Sequence, residues 1–170
     1  MADKAQSLGA WLLFQEGLHQ LGIDISHHSI VLNDYGKPYL APCNGYFNLS
    51  HTPNRAMANV AAHEVGCDIE RIAEPDEEIV RNCFSRQEIA FYDSQPSEKR
   101  GEAFYRLWTA REAFLKALGR GLCDPVPPFS VLSDEGFFKP VLAFESRTFW
   151  GQSTTDGDYA FAWWCEALFY

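Results

Sequence analysis

Leu8, Trp11, Leu12, Leu18 and Leu21 recur at helical spacing near the start of the chain, the pattern of a helix with one apolar face. Ser7 is placed to cap that helix and Gly22 to stop it. The pattern then shortens. Tyr35-Gly36-Lys37-Pro38 predicts a turn, since glycine admits positive φ and proline pushes the lysine before it to extended backbone. Phe47 to Ser50 predicts a short strand that runs into Ser50-His51-Thr52-Pro53. Ala56 to Ala62 and Val65 to Arg71 predict a hairpin about His63-Glu64.

The second half opens with a helix over Glu74 to Phe84. Ser85-Arg86-Gln87-Glu88 has the form of a capping box, in which serine and glutamate satisfy each other's backbone donors, so a new helix starts there. After a break at Asp93 to Ser97, the longest helical pattern runs from Glu98 to Leu118. Its buried stripe is Phe104, Leu107, Trp108, Phe114, Leu115 and Leu118, and Gly119 closes it. Beyond the proline-rich loop at Pro125 to Pro128 come strand-like segments at Phe129 to Leu132, Phe137 to Phe144, Thr148 to Gln152 and Tyr159 to Ala167. Asp134-Glu135-Gly136 and Asp156-Gly157-Asp158 supply turns. Helices and antiparallel strands without βαβ alternation predict an α+β protein.

Composition narrows the picture. The 170 residues are 46% apolar and 15% aromatic, enough for one domain or two small fused halves with a real core. The net charge of −9 leaves no basic footprint for phosphate backbones, so nucleic acid is not an expected partner. Cys43, Cys67, Cys83, Cys123 and Cys165 are odd in number and form no CxxC pair, which suits reduced, mostly buried thiols in a cytoplasmic protein. The apolar run Trp11-Leu12-Leu13-Phe14 is too short for a signal-peptide core or a membrane span.

Charge is also unevenly placed. Glu64 to Glu78 holds seven acids and one base, whereas Lys99 to Arg120 holds six bases and two acids. Either both stretches are solvated faces, or they bracket a site for a metal and a polyanion. In Gly66-Cys67-Asp68-Ile69-Glu70 the two acids lie two apart, so a strand would project them together, roughly 6–7 Å apart. That is either a solvated strand face or a place for a cation between like charges. Hard oxygen donors without nearby His or Cys would select magnesium. Glu112 and Lys116 are four apart and share a helix face, as a surface ion pair or as part of the same site.

Taken in order, Asn48-Leu49-Ser50-His51, Gly66-Cys67-Asp68-Ile69-Glu70 and Trp108-x-x-Arg111-Glu112-x-x-x-Lys116 resemble the signatures of the Sfp-type 4'-phosphopantetheinyl transferases. Tyr35-Gly36-Lys37-Pro38, Phe84-Ser85 with Glu88, and Gly119-x-Gly121-Leu122 resemble further positions of the family pattern, from about Ser7 to Val131. The resemblance implies transfer of the phosphopantetheine arm of coenzyme A to a serine of an apo acyl or peptidyl carrier protein. It implies Mg2+ held by Asp68, Glu70 and Glu112, with Glu112 and Lys116 catalytic. His51 and Lys116 would hold the phosphates of coenzyme A, and Ser50 and Lys37 would line the nucleotide pocket. The implied fold is two similar α+β halves in a pseudo-dimer, residues 1–64 a shortened first half and 65–170 the half with the metal, acting as a monomer.

The sequence departs from the family pattern at three places. Arg111 stands where lysine is usual, and its guanidinium forks its contacts. Cys67 replaces an aliphatic residue, which a buried thiol can mimic. The family usually has a strand and a basic segment before the first helix, and Lys4 is the only Lys or Arg here before Lys37. Weaker coenzyme A binding, or a different way of making it, is therefore expected. The acidic chain would meet an acidic carrier through apolar residues, with Phe129, Phe137 and Phe138 as candidates, and through the Lys99 to Arg120 stretch. The alternative is a module that binds coenzyme A or a carrier without turnover. A Mg2+-dependent phosphohydrolase of coenzyme A is a third reading, differing only in its acceptor. The clustered carboxylates favour an enzyme, because a pure binder has no need of them.

Overall fold

The computed structural model describes the backbone of residues 2–42, 45–120 and 128–167. Cys43, Gly121-Leu122, Cys123 and Pro125 to Pro127 lie outside the described residues. Helix α1 (Ala2–Gln20) packs on a hairpin of β3 (Tyr46–Thr52) and β4 (Arg55–Ala61), preceded by a small hairpin of β1 (Ser29–Leu32) and β2 (Pro38–Ala41). Then follow β5 (Val65–Arg71), α2 (Glu77–Cys83), α3 (Arg86–Asp93), α4 (Arg100–Leu118), β6 (Val141–Phe144), β7 (Arg147–Asp156) and β8 (Tyr159–Ala167). The last three strands join β5 in an antiparallel sheet of order β5-β8-β7-β6, with α4 against β5 and β8. This is the expected α+β class. Phe14, Leu18, Leu40 and Phe47 form one core, and a larger one gathers around Phe104, Leu107, Phe114, Phe149 and Trp164. Among the described residues no helix is long and apolar enough to cross a membrane.

Several expectations are corrected. The first helix begins before Ser7, and its buried face is Ala10, Phe14 and Leu18, while Leu8, Leu12 and Leu21 are exposed. Small residues decide this: a Cβ on Gly17 would come within 2.8 Å of the Val60 side chain, so the glycine lets the helix approach β4 on that side. Strand β4 pairs with β3 across Pro53-Asn54, not with β5. Asn54 takes φ 64, the left-handed geometry that a tight two-residue hairpin turn needs. Helix α2 is shorter than predicted, because Asp76 caps it by accepting from the amides of Glu78 and Ile79. Phe129 to Leu132 forms no strand, only a bridge between Leu132 and Phe138. Pro140 delays β6 to Val141, while β7 extends beyond its predicted end to Asp156. Of the described cysteines Cys67 alone is buried; Cys83 is exposed and Cys165 half-buried.

Other expectations hold. The Ser85–Glu88 capping box forms in both directions. Gly119 ends α4 at φ 73. Strand β8 spans the predicted residues. The α4 stripe is buried as expected except that Trp108 is only partly so, with alanines 110, 113 and 117 completing the contact.

Candidate active site

Gly66 sets the site's geometry. A Cβ there would overlap the Ala113 carbonyl and the Ala117 amide, so only glycine lets α4 cross β5 this closely. The Trp164 indole N–H donates to the Ala110 carbonyl at 2.9 Å and fixes the helix to β8. The crossing carries Glu112 and Lys116 over Asp68.

Lys116 Nζ donates to Asp68 Oδ1 at 2.6 Å and to the Cys67 carbonyl at 3.3 Å. Ser50 Oγ also donates to Asp68 Oδ1, at 2.9 Å. The other oxygen, Asp68 Oδ2, is buried without a hydrogen-bond partner, and so is Glu112 Oε1. Burial, and then the Asp68 charge, raise the Glu112 carboxyl to about 7. Glu70 is half-buried and shifted up for the same two reasons in the same order, while Thr52 Oγ1 donates to its Oε2 at 3.3 Å. Burial opposes the charge on Lys116, but the Asp68 carboxylate outweighs it and raises the ammonium's pKa. The cluster is thus an ion pair flanked by acids that lack enough positive charge.

The other expected site residues lie around it. His51 is exposed on β3, with Nε2 3.2 Å from Ser7 Oγ. Ser50 is buried, its hydroxyl accepting from the Ile69 amide at 3.2 Å while donating to Asp68. Lys37 is not brought to the carboxylates. It pairs with Glu64 and donates to the Val65 carbonyl at 3.0 Å, at the opposite end of β5 from Glu70. Burial lowers its pKa. Phe129 and Phe138 pack against the core, whereas Phe137 is exposed.

Residues 64–164 match the model of the 4'-phosphopantetheinyl transferase superfamily. The chain belongs to that superfamily. It is 31% identical over 159 residues to the 4'-phosphopantetheinyl transferase gsp of Aneurinibacillus migulanus, covering 88% of this chain and 66% of that protein. Against the 4'-phosphopantetheinyl transferase Sfp of Bacillus subtilis it is 30% identical over 113 residues, 66% of this chain and 50% of that one. With AcpT of Salmonella typhi it shares 36% over 94 residues, 53% and 49% of the two chains. The chain thus spans 49% to 66% of the length of these three transferases.

Superfamily membership makes Mg2+ an implied partner of the cluster. Among the described residues no three His, Cys, Asp or Glu side chains close on one another as a ready metal-holding group. The donor set nevertheless fits. Two buried carboxylate oxygens are unpartnered, and Mg2+ takes one or two protein carboxylates and fills its remaining positions with water and phosphate.

Sequence reasoning missed two features. Glu88 is fully buried, and beyond its capping role it accepts from Arg111 at 2.8 Å and from the Val131 amide at 2.8 Å. The same Arg111 Nη1 also donates to the Phe129 carbonyl at 3.2 Å, and the planar guanidinium lies over the Phe129 ring, a stacked contact that a lysine could not make. The second feature is the polar alternation Asn48-x-Ser50-x-Thr52 on β3, a period-two signal visible in the sequence, whose side chains all reach β5. Cys67 behaves as the expected small apolar residue: burial pushes its thiol up to about 12, and it donates to the Asn48 carbonyl.

Proposed function

We propose that the chain transfers the 4'-phosphopantetheine arm of coenzyme A to a serine hydroxyl of an apo acyl or peptidyl carrier protein, releasing adenosine 3',5'-bisphosphate in a Mg2+-dependent reaction. One observation carries the reading: Asp68 Oδ2 and Glu112 Oε1 are buried and unpartnered beside the Lys116 ammonium. Buried acids that only shape a fold are hydrogen-bonded. These acids are arranged for a cation and a polyanion.

Mg2+ held by Asp68, Glu70 and Glu112 would neutralise the charge that grows on the departing bisphosphate. Lys116 spends two of its N–H donors on Asp68 and the Cys67 carbonyl, which leaves a third for a phosphate oxygen. Glu112, with its carboxyl near 7, accepts the serine proton as the new O–P bond forms and the P–O bond to the nucleotide breaks. His51, exposed beside Glu70, is assigned to a phosphate of coenzyme A. Lys37 joins the nucleotide only by giving up Glu64. Phe137 and the bases of the Lys99 to Arg120 stretch other than Arg111 and Lys116 are assigned to the carrier.

We also infer two halves, 1–64 and 65–170, related as a pseudo-dimer, so that one copy suffices. The two hairpins support this: Thr52 pairs with Arg55 and Asp156 with Tyr159 across two-residue turns, each hairpin lying under a long helix. The reduced thiols suit a cytoplasmic setting. Incubation with coenzyme A, Mg2+ and a panel of apo carrier proteins, read by intact mass, tests the function. One carrier should gain a single phosphopantetheine arm. Binding without mass gain, or coenzyme A cleavage without an acceptor, would replace this reading by the module or the hydrolase.

A further inference from the structure

Strand β5 pairs with β8 along one edge, and its other edge faces β3, yet no backbone ladder joins β3 to β5. An open edge inside a protein leaves amides to satisfy. Here side chains satisfy them. Asn48, Ser50 and Thr52 lie two apart and point the same way. Asn48 Oδ1 accepts from the Cys67 amide at 2.9 Å, Ser50 Oγ from the Ile69 amide at 3.2 Å, and Thr52 Oγ1 from the Arg71 amide at 3.3 Å. All three residues are buried.

The rungs differ in what remains after the amide is satisfied. A hydroxyl that accepts still has one proton to donate. Ser50 gives its proton to Asp68 Oδ1 at 2.9 Å and Thr52 to Glu70 Oε2 at 3.3 Å. The Asn48 side-chain oxygen has no proton and touches no carboxylate. Asp68 Oδ1 therefore holds two donors, Ser50 and Lys116, while Oδ2 holds none. With Lys116 alone, the carboxylate plane could turn about the last side-chain bond and swing the bare oxygen away from its present direction. The second donor, fixed to the β5 backbone through Ile69, removes that freedom.

We propose that Ser50 and Thr52 are positioning residues that aim the free oxygens of Asp68 and Glu70 into the site, and that Asn48 makes the same strand junction without aiming anything. This rests on the proposed metal-dependent reading. It moves Ser50 from the nucleotide pocket to the support of a carboxylate. The hydroxyls do not touch substrate and act only through the acids they hold.

The test is Mn2+ binding to the folded protein, followed by electron paramagnetic resonance, in wild type, Ser50→Ala, Thr52→Val and Asn48→Ala. Loss of a hydrogen bond that orients a metal ligand weakens metal binding about 10- to 100-fold. Ser50→Ala should show that loss, Thr52→Val a smaller one, and Ser50→Thr should restore Mn2+ affinity. Asn48→Ala should lower the melting temperature while keeping the wild-type Mn2+ affinity. Equal weakening by Ser50→Ala and Asn48→Ala would mean that the rungs only hold β5 in place, and would overturn the proposal. If Ser50→Ala fails to fold, Thr52→Val against Asn48→Ala decides the same question, and equal affinities overturn it. A wild type that binds no Mn2+ removes the metal reading itself and the aiming role with it. A wild type that binds while the folded hydroxyl variants bind equally well removes only the aiming role.

Discussion

Two buried glutamates meet the same helix and end in opposite states. Glu88 comes from α3, and its carboxylate collects the Ser85 amide, the Val131 amide and the Arg111 guanidinium of α4. Glu112, on α4 one residue from Arg111, leaves Oε1 bare and stands near Asp68. Burial is similar, so burial does not separate them. Satisfaction does: a carboxylate with three donors organises its neighbours, whereas one that lacks a partner costs stability in the resting protein. The first belongs to the scaffold, and the second is the one we propose for the chemistry.

The largest effect should come from exchanging the charge at the second site. Glu112→Gln keeps the shape and removes the proton acceptor, a loss of about 10²- to 10⁴-fold in the rate of arm transfer. Carrier modification under saturating Mg2+ and coenzyme A measures it. Near-normal turnover would end the assigned role. The counterpart, Glu88→Ala, strands the Arg111 guanidinium and the Val131 amide and should cost about 3–5 kcal/mol of stability by urea denaturation. A cost below about 1 kcal/mol would make the two glutamates equivalent after all.

The third effect is in pH. The Glu112 carboxyl is raised to about 7 in the folded protein from an ordinary 4.5. The folded state therefore keeps a proton that the unfolded chain releases, and stability falls as pH rises from about 4.5 to 7, then levels. The change is about 3 kcal/mol at most. In metal-free protein, Glu112→Gln should be more stable than wild type at pH 8 and equal to it at pH 4. A difference that does not depend on pH would show that Glu112 is paired in solution.

The site was more legible in the sequence than the first half of the fold. Asp68 with Glu70, and Glu112 with Lys116, each lie on one element, where periods of two and four place them without further knowledge. The capping box is local as well. What escaped were choices made between distant segments. Leucines occur on several sides of α1, and the face that packs is decided by Gly17 meeting Val60. Strand β4 had two neighbours of suitable pattern and took the one with the tighter turn. Lys37 meets Glu64, and Arg111 meets Glu88, across 27 and 23 residues with no local sign of either pairing.

The smallest effect sharpens the comparison from the scaffold side. Ser85 Oγ accepts from the Glu88 amide at 3.2 Å, and the Ser85 amide donates to Glu88 Oε2 at 2.7 Å. Ser85→Ala removes only the first of these bonds. The carboxylate keeps all three of its donors, so Arg111 and Val131 remain paired, and the loss should be that of one helix cap, about 1 kcal/mol. Because the change reaches neither Asp68 nor Glu112, urea denaturation should register it while the rate of arm transfer stays at the wild-type level. A much larger loss of stability would mean that the cap holds the Glu88 carboxylate in place for Arg111. In that case the satisfied glutamate would depend on a single hydroxyl, as Asp68 depends on Ser50.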